Sequence, residues 1–186
     1  MTDSITRPNI LLITTDHGEL LGDHGLWMKG PFHYQELVRV PLIVRGPEGM
    51  SDAGRCTGVV SHVDIAPTIL AASGGEVDDL DGVNLLPLLR GEKDSVRQEA
   101  LIECVDAIDG LRLKTIVSAD RKLTWYAQRD FGELYDLEKD PREKVNLWDD
   151  PHYAAERMRL MGCLLDHLEQ LERRGCRLRA ERRVYA

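Results

Sequence analysis

Asn9-Ile10-Leu11-Leu12-Ile13-Thr14-Thr15-Asp16-His17-Gly18-Glu19 is the stretch that decides the fold. Its apolar run, bounded by Pro8 and by polar Thr14-Thr15-Asp16, suits a strand buried on both faces, as in the parallel sheets of α/β proteins. Asp16 and His17 then stand at the carboxyl end of that strand, the edge where open α/β sheets bind ligands. Neighbours on a regular strand point to opposite faces, so these two could not share an ion there. Gly18 lets the chain leave strand geometry, after which a carboxylate and an imidazole can converge on one cation. Lys29, twelve residues further on, can bring an ammonium to an anionic substrate. The competing reading is that Asp-His-Gly simply turns the chain, and spacing alone leaves both open.

Working outward, Pro41-Leu42-Ile43-Val44-Arg45, closed by Gly46-Pro47, reads as a second buried strand. Ser61 is a candidate N-cap for a helix carrying Val63, Ile65, Ile69 and Leu70 on one side and ending at Gly74-Gly75. Pro67 falls within its first two turns, where proline is tolerated. Residues 76–95 read as a loop with one short apolar turn, and the acidic run at 76–81 as a solvated part of it. Strands are expected at 100–104, 113–117, 122–127 and 133–137, the last two forming an antiparallel meander because their connection is short. A helix over 151–174 carries Met158, Met161, Leu165 and Leu168, with Leu164 and Leu171 beside them, as a stripe that docks on the sheet. The basic tail at 173–183 is expected to fray.

The 186 residues carry 32 acidic and 24 basic side chains, a formal charge of −8, with 42% hydrophobic and 30% charged residues. That balance is globular rather than disordered. Excess acid without a basic stripe argues against nucleic acid as a partner. No stretch approaches the roughly 20 apolar residues of a membrane-spanning helix. Cys56, Cys104, Cys163 and Cys176 form no C-x-x-C pair, which argues against a disulfide framework or zinc knuckle. The first residues show no basic and apolar leader, so a reducing cytoplasm is the expected location.

Residues 15–47, T-D-H-G-E-L-L-G-D-H-G-L-W-M-K-G-P-F-H-Y-Q-E-L-V-R-V-P-L-I-V-R-G-P, resemble the segment carrying the second pair of metal ligands in the sulfatase family of the alkaline-phosphatase superfamily. Arylsulfatases, choline-sulfatase-like enzymes and phosphonate monoester hydrolases share it. The resemblance continues through Val60-Ser61-His62-Val63-Asp64-Ile65-Ala66-Pro67-Thr68. It returns in Glu133-Leu134-Tyr135-Asp136-Leu137-Glu138-Lys139-Asp140-Pro141-Arg142-Glu143 with Asn146-Leu147, which are similar to the family's C-terminal signature. By that resemblance Asp16 and His17 align with metal ligands, and Lys29 with the lysine that contacts the sulfate or phosphonate oxygens. The implied cofactor is a divalent cation, whether Ca, Mn, Mg or Zn. Carboxylate oxygen suits the harder ions and imidazole shifts the preference toward manganese or zinc. His33 joins Lys29 as a candidate substrate contact. It and His24 are candidate further ligands, against the alternative that each shapes the loop. Trp27 and Tyr34 could line a substrate entrance or pack beneath the loop, and His62 is expected to bond locally.

Family members open with a strand much like residues 8–16, then carry the nucleophile motif C-x-P-S-R, and reach the Asp-His strand only much later. Here no C-x-P-S-R occurs, and Cys56 is followed by Thr57-Gly58-Val59-Val60. Loss of a covalent nucleophile typically costs on the order of 10³–10⁶ in turnover. The expectation is therefore a truncated sulfatase-like α/β core over 1–98, a remnant of a doubly wound sheet, continued over 99–186 by a C-terminal subdomain of antiparallel sheet and packed helix. Alone it should be a weak hydrolase or none, acting on a small anionic ester. Self-association or a complementing chain would cover its exposed apolar edge. The readings that remain are a sulfuric ester hydrolase segment, a phosphonate or phosphate ester hydrolase relative, and a non-catalytic remnant or split-gene subunit.

Overall fold

The computed structural model describes residues 10–46, 54–105 and 110–184, with side chains as far as Arg173. It divides into two units, one made of Met1–Lys29 with Glu36–Ala100 and the other of Gly30–Gln35 with Leu101–Ala186. No described helix is long and apolar enough to cross a membrane.

In the first unit, β1 (Leu11–Thr14) and β2 (Leu42–Arg45) form a two-stranded ribbon with Leu11 opposite Arg45 and Ile13 opposite Ile43. The pairing is antiparallel, which corrects the parallel arrangement expected from the apolar runs. Leu11, Ile13 and Ile43 are about half exposed on one face, at 54%, 49% and 57%. A run of apolar residues reports how much surface a strand offers for burial, not the direction of its neighbour. A short helix, α1, spans Gln35–Val38.

Next come a single helical turn, His62–Asp64, and α2 (Ile65–Ala72), which ends near Gly74 at a φ of 76°. Asp64 is fully buried and holds this entry together. Its carboxylate accepts the Ser61 N–H and the Val83 N–H, both at 2.8 Å, and pairs with the Arg97 guanidinium. Thr68 donates to the Asp64 carbonyl at 2.6 Å and accepts the Leu85 N–H at 2.9 Å, tying α2 to α3 (Leu86–Leu89).

The second unit is a sheet in the order β3 (Ala100–Val105), β4 (Arg112–Val117), β5 (Arg121–Tyr126), β6 (Gly132–Asp136), covered by α4 (Ala154–Val184). The β4–β5 and β5–β6 pairs are antiparallel, with Ile116 opposite Leu123 and Leu123 opposite Leu134. Those three residues, with Leu160 and Leu164 of α4, make a fully buried core. The buried stripe is rotated from the expected one: Met158 and Leu165 are 68% and 59% exposed, while Leu160 and Leu164 face the sheet and Met161 and Leu168 flank them. The helix also continues through the stretch expected to fray.

No local pattern marks Lys122 as a buried residue, yet it is fully enclosed. Its ammonium pairs with the buried Glu143 carboxylate, donates to the His33 carbonyl, and lies 5.7 and 5.4 Å from the ring centres of Tyr34 and Tyr135. Glu143 also accepts the Gln35 N–H at 2.8 Å. The segment Gly30–Gln35 is thus held to the sheet by charge-assisted bonds, the kind that retains a buried ion pair despite its desolvation cost.

Truncating Leu160 to Ala should destabilise the protein by about 2–5 kcal/mol, whereas Leu165→Ala should change stability by less than about 0.5 kcal/mol. Urea denaturation monitored by circular dichroism reads both; equal losses would contradict this packing.

Candidate functional site

Beyond Thr14 the backbone leaves the ribbon, and Gly18 sets its new course. A Cβ on Gly18 would lie 1.8 Å from the Glu36 carbonyl oxygen, so only glycine admits this approach. The Gly18 N–H donates to the Leu37 carbonyl at 2.8 Å, bringing α1 against the strand end. Asp16 and His17 sit just before that contact and converge. Asp16 Oδ2 is 3.5 Å from His17 Nε2, while Asp16 Oδ1 accepts the His17 backbone N–H at 3.0 Å. That bond holds the Asp16 carboxyl below the usual carboxylate range.

His17 Nδ1 lies 2.7 Å from the Gly18 carbonyl and Nε2 lies 2.9 Å from Lys29 Nζ. A carbonyl only accepts and an ammonium only donates, so both contacts are satisfied by one tautomer: Nδ1 carries the proton and Nε2 presents its lone pair. Lys29 is exposed and pairs with no carboxylate among the described residues. The three side chains singled out in the sequence therefore meet at one exposed edge. Asp16 Oδ2 and His17 Nε2 are close enough for one cation to touch both at roughly 2.0–2.4 Å. The donor set suits a divalent cation and supplies two of the roughly four to six ligands such an ion takes.

The other candidates have different surroundings. His24 Nε2 lies 3.6 Å from the Glu36 carboxylate, and His62 Nε2 lies 3.4 Å from Thr14 Oγ1. Trp27 and its neighbour Met28 are exposed. His33 is buried in the second unit, with Nδ1 2.7 Å from Thr115 Oγ1, whose own hydroxyl donates to Thr124 at 2.8 Å. Burial, and then the Lys122 charge, lower the His33 pKa from 6.5 to about 4. Tyr34, the candidate at the entrance, donates to Glu133 at 3.3 Å, and burial raises its phenol to about 12. Several residues of the C-terminal signature have structural tasks. Asp136 pairs with Arg121 and Lys139 at 3.0 and 3.2 Å, and Asp140 accepts the Val145 N–H at 2.8 Å. Asn146 clips β6 by accepting the Leu134 N–H and donating to the Gly132 carbonyl, at 3.0 and 2.9 Å.

Residues 22–172 match the family described as N-sulphoglucosamine sulphohydrolase, C-terminal. An N-acetylglucosamine-6-O-sulfatase of Bacteroides thetaiotaomicron is 33% identical over 169 residues, which are 87% of this chain and 30% of that protein. Among solved structures, BT4656 in complex with its substrate D-glucosamine-2-N,6-O-disulfate superposes with a TM-score of 0.79 at 32% identity, over 88% of this chain and 34% of its own. The phosphonate monoester hydrolase of Agrobacterium radiobacter gives 0.76 at 33%, over 87% and 35%. The chain belongs to the sulfatase family, within which it matches the C-terminal part. It spans about a third of the length of the curated relatives it matches.

The neutral His33 gives a pH signature. As pH falls below 6.5 the unfolded chain protonates this ring, while the folded chain does so only near pH 4, so stability declines through that window. The contribution is up to about 3 kcal/mol. In His33→Gln the difference between urea-derived stabilities at about pH 7 and about pH 4.5 should shrink accordingly; an unchanged difference would refute the buried neutral ring.

Proposed function

We propose that this chain supplies the cation- and anion-binding side of a sulfuric ester hydrolase site. The observation that carries the reading is the convergence of Asp16 Oδ2, His17 Nε2 and Lys29 Nζ at one exposed strand end, with successive contacts of 3.5 and 2.9 Å. Asp16 and His17 would hold a divalent cation, which when bound supplies charge to polarise a non-bridging ester oxygen. Lys29 would place its ammonium on another oxygen of the tetrahedral anion, where negative charge develops. His33, buried beneath Lys122, would shape the segment after Lys29 rather than touch substrate.

Because the sequence contains no C-x-P-S-R, no residue is assigned to nucleophilic attack, and turnover by this chain alone is expected to be weak or absent. A complementing chain or a second copy would cover the outward Leu11, Ile13 and Ile43, apolar residues of the kind that mark interaction surfaces. A second reading, hydrolysis of phosphonate or phosphate esters, draws on the likeness to the Agrobacterium enzyme; a tetrahedral oxyanion would be met by the same groups.

Mn²⁺ binding measured by calorimetry should weaken at least about tenfold in Asp16→Asn and in His17→Ala, a difference of about 1.4 kcal/mol. Aryl sulfate and phosphonate ester turnover, assayed with Mn²⁺ or Ca²⁺, should be near background. Unaltered Mn²⁺ affinity in both variants would refute the site.

A further inference from the structure

Lys29 does not simply stand beside the candidate cation site; its ammonium takes up the His17 half of it. His17 has one lone pair to offer, at Nε2, because Nδ1 is committed as a donor to the Gly18 carbonyl at 2.7 Å. The Lys29 ammonium sits 2.9 Å from that lone pair. The same atom is the nitrogen a cation would use, and Asp16 Oδ2, the oxygen a cation would share, is 3.5 Å away. One lone pair cannot serve an N–H donor and a metal together, and an ammonium held there would face a dication at close range.

We propose that Lys29 is a displaceable occupant of the His17 lone pair, so that a divalent cation binding at Asp16 and His17 releases the ammonium to bind an anionic ester or sulfate. This rests on the reading of Asp16, His17 and Lys29 as a cation and anion site and adds the order in which they fill. Two features of the chain suit the movement. Lys29 ends a flexible four-carbon stem, is exposed, and has no carboxylate partner among the described residues to retain it. Its backbone is framed by positive φ at Met28 and Gly30, 65° and 55°, so the loop sets the position of the Cα. Cation and anion then bind with positive coupling, because the first removes the contact that withholds Lys29 from the second. Linkage requires the effect to be reciprocal: sulfate should tighten cation binding by the same factor. Without a cation, the ammonium stays on His17 and the anion site is closed.

The test uses the full chain and two variants, Lys29→Met, which keeps the stem but lacks the donor, and His17→Ala. Mn²⁺ affinity is read by electron paramagnetic resonance of the free ion. Protection of the Lys29 ammonium hydrogens is read by NMR, with and without diamagnetic Ca²⁺. Lys29→Met should bind Mn²⁺ about 3- to 10-fold more tightly than the unaltered chain, the range set by one hydrogen bond. The ammonium hydrogens of the unaltered chain should be protected without Ca²⁺ and lose that protection at saturation, and sulfate should bind more tightly once the cation is present. Cation binding that is equal in the unaltered chain and Lys29→Met, or a Lys29 signal that Ca²⁺ saturation leaves unmoved, would overturn the displacement while leaving the binding reading intact. If neither the unaltered chain nor Lys29→Met binds cation better than His17→Ala, the binding reading falls and the displacement falls with it.

Discussion

One hydrogen bond, from His17 Nδ1 to the Gly18 carbonyl, decides what the exposed edge of the first unit can do. It turns the imidazole so that Nε2 faces outward beside Asp16, and it fixes which nitrogen has a lone pair. The bond depends on where the Gly18 peptide lies. That peptide is placed by its N–H bond to Leu37 and by an approach to Glu36 that no side chain would permit. A local backbone requirement at one glycine thus becomes a chemical property of the residue before it. Such coupling matters where a chain leaves a strand, since the regular alternation of side chains would otherwise send adjacent residues to opposite faces.

The second unit solves a different problem. Its sheet buries Lys122 and Glu143 completely, and buried charges are expensive unless paired and hydrogen-bonded. Here each has more than one partner: Lys122 meets Glu143, the His33 carbonyl and two tyrosine rings, and Glu143 also accepts a backbone N–H from Gln35. The pair therefore holds the segment Gly30–Gln35 in one register on the sheet. Around it, burial raises the Glu133 carboxyl as well as the phenols of Tyr34, Tyr126 and Tyr135. His33, kept neutral in the same surroundings, belongs to this interior.

The parts of the fold that can be read from the sequence are those with local causes. The strands of the second unit are legible because their apolar and polar residues alternate between short turns, and α2 because Ser61 and Gly74 bracket it. Strand direction in the ribbon is not, since a run such as Ile10-Leu11-Leu12-Ile13 looks the same in either orientation. The buried face of α4 escapes the sequence because the helix offers two overlapping apolar stripes sharing Met161, Leu164 and Leu168, and only the sheet selects the one through Leu160. At the candidate site, the residue types at Asp16, His17 and Lys29 are legible, together with the need for Gly18 to break the strand. The Lys29–His17 contact is not, because a twelve-residue loop with positive φ at Leu21, His24 and Met28 has no regular pattern from which its closure can be read. Lys122 and Glu143 are hidden for a related reason: their pairing spans distant sequence positions, and charged residues are ordinarily assigned to the surface.

The most direct measurement is the tautomer of His17, read from its ring ¹⁵N chemical shifts at about pH 8 in metal-free protein, with Lys29→Met as the comparison. The expected result is a proton on Nδ1 and an unprotonated Nε2 whose shift moves when the Lys29 ammonium is removed. A ring protonated at Nε2, or an Nε2 signal indifferent to Lys29, would contradict the arrangement on which both cation binding and its coupling to the lysine depend.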